Sequence, residues 1–166
     1  EANLMEQDLA ATPSSLGFAQ TDQAYQRAVA GAPFNALGML NYANFLGRFG
    51  NGAEVTAQRE RLLQDAFAIS PSNVPVNMAL FARHQQMVQP EKLLELSYTV
   101  AQWCQLMSKH PQAKLLFNQV LEFSQQTNDE ALSRRLIACL ERDPALRGGG
   151  RKKTWFMRWL EEQRAY

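Results

Sequence analysis

The sequence predicts an all-α protein of antiparallel helical hairpins stacked into a solenoid. Three observations carry this. Ala, Leu, Gln, Glu and Arg dominate the 166 residues while β-branched residues are sparse, a balance that favours helix. Apolar residues recur at helical spacing along the chain. Pro33, Pro71, Pro111 and Pro144 each close a predicted helix, at intervals of 38, 40 and 33 residues, the range of helical-hairpin repeats.

The elements follow in order. Leu4, Met5 and Leu9 give helical spacing over residues 3–11, before Thr12-Pro13-Ser14-Ser15 interrupts. Residues 15–30 form the next helix, with Ser14 or Ser15 placed to cap it, Leu16, Ala19, Ala24, Tyr25 and Ala28 on one face, and Gly31-Ala32-Pro33 at its end. Residues 35–48 carry an apolar stripe of Leu37, Leu40, Ala43, Phe45 and Leu46, capped by Asn35. Gly50-Asn51-Gly52 is a tight turn suited to positive φ. The helix over 53–69 then buries Val55, Leu62, Leu63, Ala66, Phe67 and Ile69 and exposes Glu54, Arg59, Glu60 and Arg61.

A second hairpin follows over 73–87 and 90–109, with Pro90 at a first helical position, where its missing N–H costs nothing, and with Lys109 and His110 complementing the helix C-terminus. Helices over 112–125 and 130–142 complete the series, with Asn128 or Asp129 capping the last. Residues 1–146 thus read as one helical-repeat domain. Residues 147–166 read as a Gly/basic linker and an amphipathic C-terminal helix.

Composition excludes several classes. At 46% hydrophobic and 20% charged the chain is ordinary globular protein. A net charge of +1 gives no electrostatic preference for nucleic acid. No apolar run approaches the roughly 18 residues of a membrane span. The chain opens Glu1-Ala2-Asn3 with no initiator Met, which fits a mature form or the soluble part of a longer protein. Cys104 and Cys139 each sit among apolar residues of a predicted helix and read as buried free thiols. A disulfide between them would require an oxidising compartment and adjacent helices.

No nucleotide loop, nucleophile elbow or metal-ligand cluster is visible. His84 and His110 lie on different elements without partners at ligand spacing, so no metal site, cofactor or catalytic residue is expected. Binding candidates are Asn44, Arg83 and Gln86 on the inner helices of the hairpins. Amides and a guanidinium there could grip a peptide backbone, a carboxylate or sugar hydroxyls, or could simply be solvated. In the tail, Arg151, Lys152 and Lys153 precede Trp155, Phe156, Trp159 and Leu160 on one helical face. That tail suits a cap over the last hairpin, a membrane surface or a partner protein.

Met39-Leu40-Asn41-Tyr42-Ala43 aligns with Met78-Ala79-Leu80-Phe81-Ala82 as Met-x-x-aromatic-Ala, and Phe117-x-x-Val120-Leu121 is a looser third copy. With Gly50 at the inter-helix turn and Leu63, Ala66 and Pro71 at second-helix and closing positions, the pattern resembles the tetratricopeptide repeat. That resemblance implies a right-handed solenoid with a groove bearing Asn44 and Arg83. The stretches 41–46, 61–71 and 77–82 also resemble the C-terminal extramembrane region of bacterial O-antigen ligases and protein-glycosylating oligosaccharyltransferases, the virulence-factor membrane-bound polymerase group. This second resemblance implies a non-catalytic periplasmic domain of an inner-membrane glycan-transferring protein, one that recognises a protein partner or glycan acceptor. The alternative expectation is a free-standing cytoplasmic tetratricopeptide-like adaptor.

Overall fold

A computed structural model describes residues 2–11 and 15–142. Its elements are α1 (Ala2–Ala11), α2 (Ser15–Gly31), α3 (Ala36–Phe49), α4 (Ala53–Ile69), α5 (Val74–Gln86), α6 (Pro90–Met107), α7 (Ala113–Gln126) and α8 (Glu130–Glu141). Among the described residues there is no strand, so the protein is all-α. Ser14 and the tail with Arg151, Lys152, Lys153, Trp155 and Trp159 lie outside the described residues, as does the expected boundary at 146/147.

Local chemistry sets the helix ends. Asn35 caps α3 by accepting from the Gly38 N–H at 2.9 Å, satisfying a donor that has no partner within the helix. Gly52 takes φ +99°, a region that L side chains rarely adopt. A Cβ on Gly50 would lie 2.8 Å from the Leu46 carbonyl oxygen and collide with Val55. The turn joining α3 to α4 therefore needs both glycines. Asn73 accepts from the Val76 N–H at the start of α5, Pro90 opens α6, and Asp129 caps α8 by accepting from the Leu132 N–H at 2.9 Å.

One expected end is corrected. α6 stops at Met107, two residues short of the expected Lys109, because Ser108 turns its hydroxyl back onto the Gln105 carbonyl at 2.8 Å and His110 N–H bonds to the Met107 carbonyl. His110 then serves the next element: its Nδ1 accepts from the Gln112 N–H at 3.2 Å, just ahead of α7.

The turns after α5 and α7 share one geometry, 40 residues apart. In the first, the Gln89 N–H reaches the His84 carbonyl at 3.0 Å and Val88 takes φ +52°. In the second, the Asp129 N–H reaches the Ser124 carbonyl at 2.8 Å and Asn128 takes φ +53°. This is the left-handed helix end that Gly or Asn normally occupies. Asn128 suits it. Val88 does not, because a β-branched residue there is strained. Val88 is 82% exposed, so its side chain gives little burial in return. Val88→Asn is expected to raise stability by about 1 kcal/mol, measured by urea unfolding. Asn128→Val should lower it by a similar amount.

The contacts divide the chain into two compact units, residues 1–80 and the residues from Phe81 onward. The division falls inside α5. In the first unit α3 packs on α4, and α2 packs on both α1 and α3. Its core includes Met39, Leu40, Ala43, Leu46, Leu63 and Ala66. Phe45 is fully buried and stands at the centre of an aromatic cluster, its ring 5.1 Å from Phe18, 5.2 Å from Tyr25 and 5.6 Å from Phe49. Tyr25 stacks on Tyr42 at 5.3 Å. Both tyrosines reach carboxylates at the rim. Tyr25 donates to Glu6 at 2.6 Å, and Tyr42 donates to Asp22 at 2.7 Å while accepting from Gln58. Burial, then the hydrogen bond to a carboxylate, pushes both hydroxyls far above the ordinary tyrosine range.

In the second unit α8 packs against both α6 and α7, and α6 also touches α7. Leu96, Val100, Met107, Leu116, Phe117, Val120, Leu132, Leu136 and Leu140 form its core. Here the expectation of free thiols is overturned: Cys104 and Cys139 form a disulfide joining α6 to α8. Their Cα atoms are 6.4 Å apart, within the span a disulfide bridges. The reason is tertiary. Each cysteine looks like an apolar residue of its own helix, and only the docking of α6 on α8 brings the two sulfurs together.

Candidate functional site

The cleft beside this disulfide is built by helical spacing. On α6, Tyr98, Gln102 and Gln105 fall at i, i+4 and i+7, and so share one face. On α8, Arg135, Ala138, Cys139 and Arg142 do the same, Arg142 being the C-cap. These residues, with Thr99 and Ala101, line a cleft of about 540 Å³, the size of a small-ligand or short-peptide site. Its chemistry is one-sided. Two arginines and two glutamines are among its lining residues, and no carboxylate is among the described residues lining it.

One of the guanidiniums is held in place. Tyr98 donates its hydroxyl to Asp129, 3.2 Å from Oδ1 and 3.1 Å from Oδ2. The same Oδ1 caps α8. The ring so anchored carries the Arg135 guanidinium, whose Cζ lies 5.3 Å from the ring centroid, a cation–π distance. Burial, then the Asp129 bond and charge, raises the Tyr98 hydroxyl above its ordinary pKa, against the lowering influence of Arg135. Thr99 spends its hydroxyl on the Glu95 carbonyl at 3.1 Å. Gln102, Gln105, Arg135 and Arg142 are exposed. A second cleft in this unit, of about 550 Å³, is apolar at Leu94 and Phe123 and carries Glu91, Asp129 and Glu130.

The residues expected from the sequence lie elsewhere. Arg83 and Gln86 are together at the end of α5, Nη1 donating to Oε1 at 3.4 Å, with Arg83 buried and Gln86 exposed. Asn44 is exposed on α3, in the first unit. His84 is buried, its Nδ1 at 3.0 Å from Gln89 Oε1. Among the described residues no group of three His, Cys, Asp or Glu is placed to hold a metal ion, and no helix is long and apolar enough to cross a membrane.

Sequence reasoning missed Tyr98, Gln102, Gln105, Arg135 and Arg142. Their spacing was visible within each helix, but nothing local pairs α6 with α8. The signal that could have found the cleft was the pair of cysteines, since a crosslink between them would have placed these two faces side by side. Compared with protein-family models, curated proteins and solved structures, the chain matches none.

Proposed function

We propose that this chain is a non-catalytic helical interaction domain that binds a protein or peptide partner in an oxidising compartment. The Cys104–Cys139 disulfide carries the reading, because structural disulfides persist in secreted and periplasmic proteins and are rare in reducing cytosol. The cleft adds a surface of suitable size and polarity beside it. The narrower proposal is a tetratricopeptide-like solenoid serving as the periplasmic part of an inner-membrane glycan ligase or polymerase. It is supported by the two turns of equal geometry 40 residues apart and by the glycan-ligase-like stretches within residues 41–82. An oxidising periplasm agrees with both.

The test is thiol trapping in the native host, with alkylation at lysis before any reduction. Both cysteines are expected to be blocked until reductant is added. Two labelled thiols in the untreated protein would overturn the oxidising compartment and favour a cytoplasmic adaptor. A reading frame continuing upstream of Glu1 through several apolar segments is the result expected for the glycan-transfer assignment, and a frame without them sinks it.

A further inference from the structure

We infer that the α6–α8 cleft binds an acidic peptide segment, with Arg135 and Arg142 each taking a carboxylate and Gln102 and Gln105 holding the backbone between them. This deepens the interaction-domain reading and rests on it. The charge pattern selects the ligand: Arg135 and Arg142 are both among the residues that line the cleft, and no carboxylate is among its described lining residues. A guanidinium presents a planar fork that matches a carboxylate through two parallel hydrogen bonds.

Spacing narrows the ligand further. Arg135 and Arg142 are two helical turns apart, about 10.5 Å along the axis of α8 at 1.5 Å per residue. An extended peptide covers that distance in roughly three residues. Across the cleft, the amides of Gln102 and Gln105 supply donors and acceptors, as a peptide backbone requires. A nucleic acid is a poorer match, because the one aromatic ring among the described lining residues, Tyr98, already carries Arg135 and the chain is nearly neutral overall. The cleft is also preorganised. The disulfide fixes one wall to the other, and Tyr98, anchored by Asp129, holds Arg135 over its ring. Less is then lost on binding.

The experiment titrates the full chain, with its disulfide intact, with the capped peptide Gly-Glu-Ser-Gly-Glu-Gly. Calorimetry is the readout, with amide NMR shifts at Gln102 and Gln105. The Glu→Gln peptide and inorganic phosphate serve as comparison probes. The acidic peptide is expected to saturate the cleft and to shift both glutamine side-chain amides. The glutamine peptide should bind at least tenfold more weakly. The Arg135→Gln/Arg142→Gln double variant, whose fold is checked by circular dichroism, should lose at least tenfold for the acidic peptide. Tyr98→Phe keeps the ring and frees it from Asp129, so it should cost a few-fold.

Equal binding of the two peptides, no effect of the double variant, or phosphate binding as tightly as the acidic peptide overturns the inference. Photo-crosslinkers placed in turn on exposed positions of each unit separate this failure from failure of the broader reading. Capture of one defined partner away from the cleft, unaffected by the double variant, leaves the interaction domain standing and removes only the acidic-peptide site. Capture from no position in either unit removes both.

Discussion

Phe45→Ala is expected to destabilise the first unit by about 3–5 kcal/mol. The side chain is fully buried, so truncation loses its transfer free energy and leaves a cavity. Collapse into that cavity is restricted. Phe45 touches Phe18, Tyr25 and Phe49 at ring distances of 5.1–5.6 Å, and Tyr25 is held by its bond to Glu6 and its stack on Tyr42. The rings cannot slide inward without giving up those contacts. Phe45→Leu keeps most of the volume and should cost less than half as much. Chemical unfolding followed by tyrosine fluorescence reads both variants. A loss below about 1 kcal/mol for the alanine variant would mean that the cluster does not carry the packing of this unit.

Removing the crosslink should have the next largest effect, in the second unit. Cys104 and Cys139 are 35 residues apart in sequence, and closing a loop of that length restricts the unfolded chain by about 3.5–4 kcal/mol in the chain-entropy description. The Cys104→Ala/Cys139→Ala pair is the better variant, because Cys104 is fully buried and a serine there would bury a hydroxyl that needs a partner. The expected result is a Tm lower by roughly 15 °C or more, with reductant giving the same shift in the native protein and none in the variant. Unchanged melting in both would show that α6 and α8 are held by their apolar contacts alone.

What the chain revealed in advance follows a physical division. Helix ends depend on residues a few positions apart, so the Asn35 cap, the glycine turn before α4, Pro90 and the Asp129 cap could be read from neighbours. The α6 terminus could not, because it is set by the Ser108 hydroxyl and the His110 N–H bonding to carbonyls of their own turn, which the apolar spacing of the helix does not register. Val88 gave no warning either, since a strained φ leaves no mark on composition. The pairing of α6 with α8 is long-range, and the disulfide and the arginine cleft are both its products. Arg83 shows the converse limit. Repeat register placed it on a groove, whereas its local environment buries it beside Gln86. Register assigns a face but does not measure accessibility.

Asp129 ties three positions of the second unit to one another. One carboxylate ends α8, holds the Tyr98 hydroxyl and, through that ring, sets where Arg135 stands. Substitutions at positions 98, 129 and 135 are therefore not independent, and their effects should depart from simple addition. A lineage that changes the carboxylate alters a helix terminus and a binding surface in one step. Relatives of this protein should keep the three residues together or replace them together.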